Sequence, residues 1–263
     1  VTIHDTTTDA AGRPPATTPP ATTPPATFGE ALRALRAAQK SSVGAPAYSR
    51  FVNRPLGRII AAAAFRAGLG PNTVTMISAA ITLSGIALIA LVPPTTAVAI
   101  TVSALLVLGY AFDAADGQLA RLSGRGSLAG EWLDHVVDAL KAGAIHLAVA
   151  VSWFRFADVP AGWLLVPLGF SVVASVFFFG MILTDQLRRL HRGSADMIKK
   201  AGRTPLWYAI AVVPVDYGFL CVLFLLLATG AVFQWAYTAV FVINALVLAA
   251  SLVRWFRAVR RLT

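Results

Sequence analysis

Residues 112–140 read FDAADGQLARLSGRGSLAGEWLDHVVDAL and carry four aspartates, Asp113, Asp116, Asp134 and Asp138. Runs apolar enough to lie in a bilayer flank them on both sides. Each carboxylate there carries a desolvation cost that something must offset. Asp113 and Asp116 are three residues apart and Asp134 and Asp138 four; on helices, both intervals put a pair on one face. SGRGS at 123–127 supplies a turn between the pairs, so all four carboxylates can converge in one pocket. Carboxylates held that close repel one another. Divalent cations relieve the repulsion, and a donor set made only of carboxylate oxygens favours hard ions such as Mg²⁺ or Mn²⁺. Two such ions about 3.5–4 Å apart can stabilise the attacking and leaving oxygens of a phosphoryl displacement. Gly117 and Gly130 leave room for a bulky ligand to approach the backbone, and Arg121 offers a bidentate fork to a phosphate. Capping or simple solvation at helix ends accounts for one or two acidic residues. It does not account for the whole array.

The elements that position this array are helices in a membrane. The 263-residue chain is 57% hydrophobic and 13% charged, against about 45–50% and 25% in soluble domains. That excess marks an all-α integral membrane protein with one compact domain. Spans of roughly 17–22 residues, near the ~20 a bilayer requires, are expected at 73–92, 95–112, 135–153, 163–184, 214–232 and 235–253, six in all. The segment 205–213 reads either as interfacial or as an extension of the fifth span. Of the 22 Lys and Arg residues, all but Lys141 and Arg155 fall in the segments that alternate to one side of these spans. Such a bias places both termini and the aspartates on the cytoplasmic side of the cell (plasma) membrane, with the active site at that edge. Topology thereby explains the net charge of +10 without nucleic acid.

Outside the spans, residues 1–27 are rich in Thr and Pro, with ATTPP repeated at 16–20 and 21–25. Such a head buries no apolar surface and is expected to be disordered. It lacks the basic-then-apolar pattern of a signal peptide. Residues 28–47 read as a linker or a basic amphipathic surface helix. YSRFVNRPLGRIIAAAAFRAG at 48–68 mixes basic and apolar residues as a helix in the headgroup plane does. The membrane domain runs over 48–255, and a basic tail over 256–263. Cys221, alone in the chain, reads as a packing residue.

Taken with its fixed spacing, the array Asp113-x2-Asp116-Gly117-x2-Ala120-Arg121-x8-Gly130-x3-Asp134-x3-Asp138 resembles the signature of the CDP-alcohol phosphotransferases. The resemblance covers 48–255 and also includes PNTVT at 71–75, similar to that family's Pro-Asn-x-x-Thr element. It implies six transmembrane helices and an enzyme that moves the phosphoalcohol group of a CDP-linked donor to an acceptor hydroxyl, releasing CMP. By the same resemblance Asp113, Asp116 and Asp134 hold two metals, with Asp138 sharing them and acting as base on the acceptor. Gly117, Ala120, Arg121 and Gly130 line the CDP site, and Asn72 and Thr75 face the nucleotide. Members often form homodimers.

GEWLDHVVDALK is similar to a form seen in choline and ethanolamine phosphotransferases, which points to phospholipid biosynthesis. An alternative is transfer of a CDP-linked polyol or inositol-type group to a polar phosphorylated acceptor. A rival of another class, a cation transporter, has no use for Arg121 or the paired glycines and expects its carboxylates near the midplane. Lys141 lies three residues after Asp138; a lysine in a span suggests function, here contact with the acceptor or a phosphate. His135 is expected beside a metal-bound carboxylate, and His146 as a satisfied interior histidine. Asp216 reads as an acceptor contact or an interfacial residue.

Overall fold

The protein is described here from a computed structural model covering residue 25 and residues 27–37, 46–192 and 212–262. Almost all of the Thr/Pro-rich head, and all of 205–211, lie outside the described residues. Every regular element among the described residues is helical. A surface helix α1 (Phe28–Ala37) precedes a π-turn at Ser49–Asn53 that runs into α2 (Arg54–Arg66). Then come α3 (Pro71–Leu91), α4 (Thr96–Ser123), α5 (Leu128–Phe156) and α6 (Leu165–Arg192). Beyond residue 212 lie a short α7 (Tyr217–Leu223), continued by a 3₁₀ segment at Phe224–Thr229, and α8 (Ala231–Arg260).

Local chemistry sets the starts. At α1, the Thr27 N–H donates to Glu30 Oε2 and the Glu30 N–H to Thr27 Oγ1, each at 3.2 Å. This reciprocal pair satisfies two donors the helix would otherwise orphan. Ala31 and Leu35 of α1 are buried in a cluster with Ala61 and Ala62 of α2 and Leu119 of α4. The two amphipathic helices thus pack on the end of α4 that carries the aspartates. The turn between α4 and α5 uses Gly124 at φ 65°, then Ser127, whose Oγ accepts from the Gly130 N–H at 3.0 Å. A left-handed residue followed by a capping serine stops one helix and starts the next within four positions.

Five helices, α3, α4, α5, α6 with its leading turn, and α8, are long and apolar enough to cross a membrane. The fifth expected span, 214–232, is shorter than expected. Asp216 accepts the Gly218 N–H at 2.9 Å and so starts α7, and Gly230 at φ 58° ends the following 3₁₀ segment. One apolar segment, Tyr217–Thr229, remains. Its mixed rise gives about 22 Å, short of the ~30 Å core. The second and third spans are longer than expected: α4 and α5 carry helix through the aspartates and past the membrane edge. Only 11% of the apolar window of α6 is buried in the protein, against 44% for α3 and for α5. α6 is therefore the most outward-facing of the five, and α3 and α5 are central.

Close approach of α3 and α4 fixes the height of the aspartates. Ser78 Oγ donates to the Gly109 carbonyl at 2.9 Å. A Cβ on Gly109 would overlap the Thr82 side chain, so only glycine admits this packing. One turn further along α4 stands Asp113.

Candidate functional site

α4 and α5 meet with their acidic faces together. Carboxylate oxygens of Asp113, Asp134 and Asp138 lie within 4.8 Å of one another. Asp116 stands beside that trio. It accepts from Thr75 Oγ1 at 2.6 Å and from the Gly117 N–H. Three residues turn a helix through about 300°, and the remaining offset rotates Asp116 from α5 toward α3. Thr75 is buried, so its hydroxyl orients Asp116 from the protein side.

Lys141 is the cation of the cluster. Its Nζ donates to Asp113 Oδ1 at 2.6 Å, Asp138 Oδ1 at 3.2 Å and Ser78 Oγ at 3.1 Å, with the residue only 5% exposed. All three ammonium hydrogens are thereby used. Two of the motif aspartates are its ion-pair partners. Lys141 thus balances part of a charge that would otherwise repel itself.

Two cavities open from this cluster. The outer one, of 590 Å³, gathers Asn72, Thr75, Asp116, Gly117, Ala120, Arg121, Gly130 and Asp134 in one wall. Every residue the sequence assigned to the CDP moiety is there. Arg125 and Arg189 complete its rim, and Arg189 is held by Glu131 at 2.6 Å. Gly117 leaves open backbone, since a Cβ there would meet only Arg121 Nη1 at 3.6 Å. Gly130 differs from expectation: a Cβ there would come within 2.9 Å of Asn72 Oδ1, so its bare face seats the Asn72 side chain. His135 borders this cavity, with its ring 3.7 Å from Glu131 and edge-on to Phe178.

The inner cavity, of 320 Å³, holds Asp113, Asp138 and Lys141 at one end and otherwise runs between apolar side chains such as Ile145, Phe170, Val173 and Val240. Asp216 also lines it, yet its carboxylate accepts the Ser49 N–H and the Gly218 N–H, each at 2.9 Å. It ties the segment before α2 to the start of α7. A Cβ on Gly218 would overlap the Tyr48 ring, so the same junction is also packed.

The donor set fits a divalent cation. Three carboxylates converge with one ammonium between two of them, which leaves net negative charge for a hard ion to neutralise. Sequence reasoning missed Ser78, although it follows Thr75 by three residues on the buried face of α3. It did not foresee the pairing of Arg189 with Glu131, because the packing of α6 on α5 has no local signal.

Comparison with known families matches residues 69–261 to the family described as CDP-alcohol phosphatidyltransferase. No curated protein matches the chain. The match spans well over half of the sequence, including all four aspartates, both glycines and Arg121. A carboxylate cluster between a basic, glycine-lined cavity and an apolar one in a helical membrane domain is what that family's chemistry requires: divalent metal, a CDP-linked donor and an acceptor hydroxyl. The chain therefore belongs to the CDP-alcohol phosphatidyltransferase family, and is a membrane-embedded transferase of substituted phosphate groups.

Proposed function

We infer that this enzyme moves a phosphatidyl-type phosphoalcohol group from its CDP-linked donor to an acceptor hydroxyl in phospholipid biosynthesis. The observation that carries the reading is the division of one carboxylate cluster between a cavity with arginines in its wall and a more apolar one. Arg121 and the open backbone at Gly117 suit a pyrophosphate on the outer side. Thr75 holds Asp116 toward that side. Asp138 faces the inner cavity, where it takes the acceptor's proton. The acceptor oxygen bonds to the phosphorus that bears the alcohol, the bond from that phosphorus to the bridging oxygen breaks, and CMP leaves. Mg²⁺ or Mn²⁺, two ions held by Asp113, Asp116 and Asp134 with Asp138 shared, would neutralise the charge that builds on the phosphate oxygens.

The purified protein tests this directly. Given a CDP-linked alcohol and an acceptor alcohol, one of them a lipid, it should release CMP and form the phosphodiester only with divalent metal present. A chelator should stop the reaction, and Mg²⁺ or Mn²⁺ should restore it. Ion flux without CMP release would replace this reading with transport.

Location at the plasma membrane with both termini in the cytoplasm follows from the charge distribution. In a Cys221→Ala background, Arg125→Cys and Arg260→Cys should react with an impermeant thiol reagent only from the cytoplasm, and Pro160→Cys only from outside. An exchange between those groups would put the active site on the other face. Homodimer formation, carried by the family resemblance, is open to cross-linking in native membranes.

A further inference from the structure

Outside both cavities, the segment before α3 carries a surface that the chemistry does not use. No acidic residue stands between Glu30 and Asp113, while seven Lys and Arg residues fall within 33–66. Three of these, Arg50, Arg54 and Arg58, are spaced by four. In a continuous α-helix each such step overshoots a full turn by about 40°, which would set the outer two well apart. The π-turn at Ser49–Asn53 changes this. Its i→i+5 bonding takes more than four residues per turn, so the first step falls short and the second overshoots. The two drifts oppose, and the arginines run along one flank. The neighbouring row is apolar and open: Phe51 is 54% exposed, Leu56 39% and Ile59 52%. The opposite face is spent on α4. Asn53 and Gly57 are buried there, a Cβ on Gly57 would come within 2.9 Å of Ala114, and Gln118 Nε2 donates to the Arg54 carbonyl at 3.3 Å. The Arg50 guanidinium lies 5.0 Å from the centre of the Phe51 ring, which joins the two rows. Among the described residues neither Arg50 nor Arg58 has an ion pair.

We propose that the π-turn and α2 form a docking face for anionic phospholipid, with the headgroup phosphate at Arg50 and Arg58 and the acyl chains against Phe51, Leu56 and Ile59. Charge selects the lipid. A zwitterionic headgroup brings its own cation to a surface with no acidic residue to receive it, whereas a net negative one neutralises the arginine row. Guanidinium forks suit phosphate oxygens. The apolar row selects a lipid over a dissolved anion, because water alone leaves three large hydrophobic side chains uncovered. A lipid covers both rows at once. Arg50 and Arg58 line neither cavity, so this face is separate from the donor and acceptor sites and does not depend on the transferase reading.

The test reads which lipid lies beside the apolar row. In a Cys221→Ala background, Ile59→Cys is labelled with bimane and the full chain is reconstituted in phosphatidylcholine vesicles. A minor fraction of the lipid carries brominated chains, either as phosphatidylglycerol or as phosphatidylcholine. Phe179→Cys on α6, where Phe179 is 66% exposed, serves as the control position. Brominated phosphatidylglycerol should quench the label at 59 more effectively than brominated phosphatidylcholine, by about fivefold for each arginine engaged. At 179 the two lipids should quench equally. Arg50→Gln combined with Arg58→Gln should bring the two lipids level at 59, and Arg50→Lys with Arg58→Lys should keep most of the preference. Quenching at 179 in every variant reports that the protein still sits in the bilayer. Equal quenching at 59 by the two lipids, or the same preference at 59 and 179, overturns the proposal. A preference that survives the glutamine pair overturns it too, because another basic segment then supplies the attraction. Quenching at 59 by neither lipid means that protein covers the face, and the lipid assignment is wrong.

Discussion

The outer cavity takes its wall from helix ends and a turn, whereas the inner cavity takes most of its wall from within helices, with the turn before α7 on one side. Asn72 sits in the first turn of α3, Arg121 in the last turn of α4 and Gly130 in the first turn of α5. Helix ends leave backbone groups without intrahelical partners, and at a membrane edge long basic side chains still reach water. A charged, soluble ligand part can be held there at little desolvation cost. Ile145, Phe170 and Val240 sit mid-helix, where backbone groups are spent within the helix and water is absent. Only apolar matter with sparse, matched hydrogen bonds belongs there. The carboxylates stand at the junction, Asp116 and Asp134 in the outer wall and Asp113 and Asp138 in the inner one. The enzyme thus appends one chemistry to two solvents.

The sharpest way to break that division is at the carboxylates. Asp113→Ala and Asp134→Ala should each remove metal-dependent CMP release by about 10³-fold or more, since several kcal/mol of charge stabilisation goes with the ions. Near-normal turnover in either would end its assignment as a ligand. Asp138→Asn should slow single-turnover chemistry by about 10²–10⁴-fold, the range for a lost general base, with donor affinity changed far less. Asp113→Asn should weaken metal and donor together. If the two asparagine variants lose donor affinity equally, Asp138 is a ligand first and the inner cavity has another base.

A smaller effect separates the cavities from each other. Arg121→Lys keeps the charge but loses the planar fork, and CDP should bind about ten- to a hundredfold more weakly, the worth of a hydrogen bond to a charged group. Affinity of the same variant for the acceptor alcohol should match wild type. A parallel loss of both would mean that the two cavities form one site. Smaller still is Gly130→Ala. The new methyl must displace Asn72 Oδ1, 2.9 Å away, which is the end of an exposed side chain and can swing aside. Donor affinity should fall by about two- to fivefold, within the range of a single neutral hydrogen bond. Full wild-type affinity would show that Asn72 does not touch the nucleotide.

Much of the site was legible in the sequence because it lies on two consecutive helices joined by a short turn. Spacing along a helix fixes faces, and the SGRGS turn allowed few ways to bring the faces together. Asp113, Asp134 and Asp138 could therefore be grouped from residue types and spacing, with Gly117, Gly130 and Arg121 beside them, whereas Ala120, Asn72 and Thr75 entered only through the family resemblance. The membrane helices were legible for a similar reason: hydrocarbon requires long, unbroken apolar runs, and these are local. Among the described residues, the fifth span departs most from its expected bounds, where the rule is weakest. An apolar run reports burial but not helix type, and the Asp216 cap and Gly230 shorten the helix within it.

What the tertiary structure decided was everything that depends on rotation and on partners far along the chain. The offset of a three-residue step turned Asp116 to Thr75 on α3, from which no pattern near residue 116 could have predicted it. Lys141 was visible as costly, but its partners come from three helices, and only their packing showed that the carboxylates consume its charge. The pairing of His146 with Tyr237 spans 91 positions. Sequence could say that a histidine lay inside the membrane. That Tyr237 is its partner is a property of the packed fold, because hydrogen-bond accounting needs every neighbour at once.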